Sequence, residues 1–315
     1  MTSPALLLNV ARAWNEGDAS DVVHRALASG FDGVGLVDSP RLFPDGWVET
    51  ERALSGTTAS LAGPCVTSLG LRHPATVAGA VRTLEEHHPG RLFTVVGRGE
   101  SSVRNEGLSV MSLRNYNDAL ELLRELLTVD GRHVAGQRVL GAASGPRTIT
   151  ATASALGGVL VDAGVDTEVL GRAVALARKE DPATAVWLFV RAVVTATQDE
   201  VAAAAAPLLG SCAARLAGSP GWYGVDANHV DAVRAVAESH DYTRHGTAGA
   251  RGGARSSADQ LVREKFVLTG SEAEIAARVL DWARLDVDGV VVAGALPGVL
   301  GCLPELASAL RTVLQ

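Results

Sequence analysis

Short apolar runs alternate with longer segments of helical periodicity through most of the 315-residue chain, and that beat restricts the possible folds more than any single motif does. Stretches 5–9, 33–37, 61–67, 92–96, 138–142, 158–161, 185–194, 266–268 and 289–293 read as strands. Between and after them, 19–29, 47–54, 75–87, 113–127, 147–155, 167–179, 198–216, 271–285 and 303–314 read as helices. Strands without polar alternation belong in a parallel sheet covered by helices. A doubly wound open sheet would give a similar string. The closed barrel is favoured because polar residues gather after many strands, not at one switch point: Asp38, Thr67 and Ser68, Glu100 to Arg104, Ser144 to Arg147, and Asp162 to Asp166. The expected fold is therefore a single α/β domain over residues 1–315, a (β/α)8 TIM barrel whose polar strand ends share one mouth.

The beat fails between 217 and 265, where glycine, arginine, serine and histidine predominate. This segment is expected to be an irregular insertion before the last βα unit, acting as a lid, with 247–259 mobile. The formal net charge of −7 argues against a nucleic-acid surface. No apolar run looks long enough to cross a bilayer, and the N-terminus lacks signal-peptide regions. Cys65, Cys212 and Cys302 are scattered without disulfide or metal spacing, which suits a reducing cytoplasm and predicts no metal site.

Two stretches carry chemistry. Residues 91–107, R-L-F-T-V-V-G-R-G-E-S-S-V-R-N-E-G, run from a strand into a turn where Gly97 and Gly99 allow close backbone approach and Glu100, Ser101 and Arg104 follow. Ala143-Ser144-Gly145-Pro146 sets proline at a helix start, leaving N–H groups free for an anion, and Ala163-Gly164-Val165 forms a second small-residue turn. An ordinary tight turn and a well-made helix start would look the same. His73, His87 and His88 read as caps or packing, whereas His229, His240 and His245 could reach the mouth if the insertion folds over it. Trp14, Trp47, Trp222 and Tyr223 are either a substrate wall or plain packing.

Six pieces, taken in order and spacing, carry a resemblance: G-F-D-G-V-G-L-V-D-S-P at 30–40, L-A-G-P-C-V-T-S at 61–68, R-H-P-A at 72–75, P-G-R-L-F-T-V-V-G-R-G-E-S-S-V-R at 89–104, A-A-S-G-P-R-T at 142–148 and V-L-T-G-S-E-A-E-I-A-A-R at 267–278. The chain resembles the bacterial luciferase-like superfamily of TIM-barrel flavin enzymes, most closely the coenzyme F420-dependent branch that includes methylenetetrahydromethanopterin reductase. The resemblance implies hydride transfer between the deazaflavin and a small organic substrate. FMN-dependent monooxygenation and a non-catalytic cofactor-binding homologue are the alternatives. It further implies a non-proline cis peptide at Cys65-Val66 behind the ring, with Asp38, Thr67 and Ser68 near the ring or its ribityl chain. Gly97, Gly99, Ser101, Val103 and Arg104 would line the cofactor. Ala143, Ser144 and Gly145 with Ala163, Gly164 and Val165 would surround its phosphate, Asp38 and Glu100 would handle protons, and a homodimer would form through the early helices. Ser39 departs from the histidine of the dehydrogenase members, and Glu100 stands where reductases often carry aspartate.

Overall fold

The computed structural model describes residues 4–12, 14, 17–58, 60–129, 132–133, 138–245, 256–296 and 298–314. Eight parallel strands form a ring: β1 (Ala5–Val10), β2 (Gly33–Leu36), β3 (Leu61–Ser68), β4 (Thr94–Gly97), β5 (Val139–Ala143), β6 (Gly158–Val161), β7 (Ala185–Val194) and β8 (Gly289–Ala293). Each pairs with its neighbour in sequence order, and β8 pairs with both β7 and β1. That double pairing closes the TIM barrel expected from the sequence.

The strands form where they do because their apolar side chains are buried on both faces, inward against one another and outward against helices. Leu7, Cys65, Val95, Leu160, Trp187 and Val291 belong to the inner cluster, and the Phe93 and Trp187 rings pack 4.7 Å apart within it. The barrel interior is thus a packed plug. Gly63 shows how tightly the wall is drawn, since a Cβ there would lie 1.6 Å from the Phe93 carbonyl oxygen.

Three sequence expectations change. The eighth strand-like run, expected at 266–268 and found at Val267–Gly270, lies outside the ring and pairs with the overhanging end of β7, from Arg191 to Val194. The helix expected over 198–216 is two helices, Gln198–Ala205 and Leu209–Gly218, with Pro207 at the break, where its missing N–H interrupts the ladder. Among the described residues, Gln198–Gly218 has the length and apolarity of a membrane span, against the expectation that no run did. However, 61% of its apolar 18-residue window is buried within the protein, and Cys212, Ala213 and Leu216 are fully covered.

The insertion is more regular than its composition suggested. Its described part holds the helix Ala227–Glu238, the 3-10 turn Tyr242–Arg244 and the helix Ser257–Phe266, which Ser256 and Asp259 cap reciprocally. The segment expected to be mobile, 247–259, falls largely outside the described residues, since only 256–259 are described. A short helix, Ser101–Asn105, and an antiparallel pairing of Thr128–Val129 with Arg132–His133 had no counterpart in the expectations from sequence.

Candidate active site at the C-terminal mouth

A cavity of about 330 Å³ opens above the plug, lined by residues at or just beyond strand ends, among them Asn9, Val37, Gly97, Ala143, Asp162 and Arg191. In a barrel of this kind that face carries the chemistry. Cys65, Val66, Leu160 and Phe189 also line it. Of the residues predicted from sequence, Asp38, Cys65, Val66, Gly97, Gly99, Glu100, Ser101, Ala143 and Ser144 reach this space.

The Cys65-Val66 peptide is cis, as expected, and the β3–β4 register slips between Cys65 and Thr67. The glycines of the next turn serve that strand more directly than a ligand. A Cβ on Gly97 would come 2.7 Å from Val66 Cγ1, and one on Gly99, whose φ is +70°, would come 2.1 Å from Ser68 Oγ. Ser68 is buried and accepts from the Gly70 N–H at 3.0 Å. Val103 packs beneath the turn, and Arg104 lies over the outer Tyr242 ring at 5.0 Å. Thr67, Ser68, Val103 and Arg104 therefore do not line the cavity.

Asp38 is at the cavity wall, but its oxygens are occupied. Arg72 donates to them through Nε at 2.8 Å and Nη2 at 2.9 Å, Thr67 Oγ1 donates at 2.6 Å and the Gly46 N–H at 3.3 Å. The bonds to Asp38 are the first cause that raises the pKa of the Arg72 guanidinium, so the cation is permanent. Asp38, expected from the sequence to donate or accept a proton, is engaged here as a clamp that also holds Thr67, to which Trp47 Nε1 donates at 3.3 Å. Trp47 is thus packing, Trp14 is exposed, and neither lines the cavity.

Glu100 remains accessible and keeps its candidacy. Tyr242 donates its hydroxyl to Oε1 at 3.1 Å, and Arg104 lies 3.5 Å from the same oxygen. Burial, then the Glu100 charge and hydrogen bond, push the Tyr242 phenol up to about 12, so it stays a donor at neutral pH. His245 also lines the cavity, with Nδ1 2.9 Å from His240 Nε2. Burial, and after it the neighbouring His240, hold His245 down at about 3, which leaves it neutral. Of the three insertion histidines, His245 reaches the cavity, His240 stands behind it and His229 does not line it.

The helix Pro146–Leu156 begins beside Ser144, as its proline predicted. The Gly145 N–H is spent on Thr148 Oγ1 at 3.2 Å, and Tyr223 donates its hydroxyl to the Ser144 carbonyl. Gly145 therefore caps the helix and does not line the cavity. The second turn, Ala163, Gly164 and Val165, does not line the cavity. With φ at +85°, Gly164 would bring a Cβ within 2.2 Å of the Lys265 carbonyl oxygen, which also accepts from the Val165 N–H at 2.9 Å. The chain at Lys265 packs directly against this turn.

The same loop supplies what the sequence reading missed as a constellation. Asp162 bridges Arg191, at 2.6 and 2.9 Å, and Arg215, at 2.6 Å. Burial alone would raise its carboxyl, but the two guanidiniums outweigh that and hold it at about 2. A lone arginine in the apolar run 185–194 was the available signal, because a buried charge requires a partner. Among the described residues, no group of three or more histidine, cysteine or acidic side chains is placed to hold a metal ion.

Comparison with known proteins agrees with the fold. A family model described as luciferase-like monooxygenase matches residues 15–289. No curated protein matches the sequence significantly. The structure is similar to the coenzyme F420-dependent tetrahydromethanopterin reductase from Methanopyrus kandleri, with a TM-score of 0.71 and 16% identity over 98% of both chains. It is also similar to an F420-dependent secondary alcohol dehydrogenase in complex with an F420-acetone adduct, at 0.69 and 16% over 99% of both chains. An EDTA monooxygenase from Chelativorans sp. BNC1 aligns at 0.65 and 14% over 99% of this chain and 94% of that one. At these identities the likeness is one of fold. The family match, which spans most of the sequence and runs from before β2 to the first residue of β8, shows that this chain belongs to the luciferase-like monooxygenase family.

Proposed function

We propose that the protein is an oxidoreductase that binds coenzyme F420 at the barrel mouth and reduces a small organic substrate. The observation that carries this reading is a cavity, lined also by the apolar Val66, whose wall residues include buried polar atoms with no protein partner, Asn9 Oδ1 and Ser39 Oγ. Such atoms suit the hydrogen-bonding edge of a flat heterocycle, and the volume lies within the range of small-molecule sites. When bound, the deazaflavin would supply the hydride chemistry. The chain supplies binding, orientation and protons.

In this reading Ser101 and Ser144 hold polar parts of the cofactor, and Glu100 holds or moves a proton at Oε1, where the Tyr242 hydroxyl donates. Tyr242 and His245 come from the insertion and exclude water from the space they line, which is the lid role expected of 217–265. The two F420-dependent neighbours favour the deazaflavin. The family description and the EDTA monooxygenase support the second reading, an FMN-dependent monooxygenase.

Absorbance titration separates them, because the two cofactors have different spectra. We expect saturable binding of F420 and weaker binding of FMN. Tighter FMN binding, with oxygen consumption on adding reduced FMN, would transfer the assignment to the monooxygenase. Binding of neither would refute both. Replacing Glu100 by glutamine is expected to lower turnover by about 100-fold or more while leaving cofactor affinity within a few-fold.

A further inference from the structure

Once its ion pairs are assigned, the cavity carries an unbalanced charge. Asp38 is clamped by Arg72, Glu100 sits by Arg104, and Arg98 is turned aside to donate to the Met111 carbonyl at 2.6 Å. Asp162 is different, for it faces two guanidiniums.

Arg191 lies on the inward row of β7, two residues beyond Phe189 and four beyond Trp187. Its side chain is 5% exposed, and its guanidinium lies 5.1 Å from the Phe189 ring centroid and 5.6 Å from that of Phe266. Both terminal nitrogens donate to Asp162, yet its Nε–H has no partner although buried. Arg215 donates through Nη1 to the Ser211 carbonyl at 2.7 Å and through Nη2 to Asp162, and it too lines the cavity. Two cations thus share one carboxylate at the wall of the cavity. A buried surplus charge with an unused donor is costly to keep unless something of the opposite sign visits it.

We propose that Arg191 and Arg215 form a receptor for one oxyanion group, a carboxylate or a phosphate, on the molecule that enters the cavity, with Asp162 holding the two forks in place. Arginine suits that task because its planar fork matches both groups. The group could belong to the substrate or to the phosphate-bearing tail of the cofactor. The proposal rests on the mouth being the binding site, but its first test needs no cofactor.

Isothermal titration of the cofactor-free protein with inorganic phosphate, and separately with acetate, should give saturable one-site binding that weakens at least tenfold in Arg215→Gln. Arg215→Lys, which keeps the charge and loses the fork, should fall between the two. Circular dichroism establishes that each variant is folded, and Arg191→Gln, which touches the core, serves as the second variant. A wild type that binds neither anion, or a folded Arg215→Gln that binds both as well as wild type, overturns the proposal. Comparing FMN with riboflavin, and F420 with its phosphate-free deazaflavin, identifies the source. If Arg215→Gln weakens only the phosphorylated member of each pair, the receptor holds the cofactor tail; if it weakens neither while anion binding is lost, the receptor holds an acidic substrate. Failure of all ring compounds to bind, with anion binding intact, would sink the cofactor assignment and leave the receptor standing.

Discussion

Arg72 reaches Asp38 with two nitrogens and Asp45 with one, so a single cation supports two carboxylates, one of them almost wholly buried. Replacing Arg72 with methionine keeps the stem and strands the Asp38 charge. We expect a loss of about 3 kcal/mol in urea unfolding, in line with breaking one side of a buried pair. Two other groups set the response to acid. His245 is held at about 3 in the fold against an ordinary 6.5, so the unfolded chain takes up its proton first. Its contribution to stability is complete above about pH 6.5 and declines as the pH falls toward 3. Melting temperatures measured across that window should fall less steeply in His245→Asn than in wild type. Asp162, held at about 2 against 3.8, keeps its contribution until below about pH 4 and loses it only as the pH approaches 2. Glu100 was legible in the sequence because it directly follows the glycine turn after a strand. Arg191 was not, because whether a strand residue faces inward depends on register, and register comes from pairing with distant strands.

At the level of elements, the ring strands were readable as short apolar runs bounded by turn residues, since burial on both faces leaves little room for polar side chains. Their closest approaches depend on glycine in a way no local pattern displays. Gly63→Ala would force a methyl into the Phe93 backbone, and we expect a loss of more than about 2 kcal/mol or no soluble protein, as measured by expression and thermal melting. The insertion was misjudged for a compositional reason. Its glycine- and arginine-rich centre masked flanks that are good helices, although Ser256 and Asp259 spell out a capping box. The packing of the turn at 163–165 was hidden for a topological one. Small residues there admit the chain at Lys265, which lies a hundred positions away in sequence.

For the molecule as a whole, closure was the question that the alternating pattern alone did not decide, because an open sheet produces a similar string; the pairing of β8 with both β7 and β1 decides it. Polar clusters after many strands pointed the right way, since only a closed ring turns them toward a common space. The plug of Leu7, Val95, Leu160 and Trp187 beneath that space also governs traffic. With the bottom of the tube stoppered, the cofactor and substrate of the proposed reaction would share one doorway, and the one that settles deepest would arrive first and depart last. Steady-state kinetics should therefore show a compulsory order, with product inhibition competitive against the leading reactant alone; a random-order pattern would mean that a second way in exists.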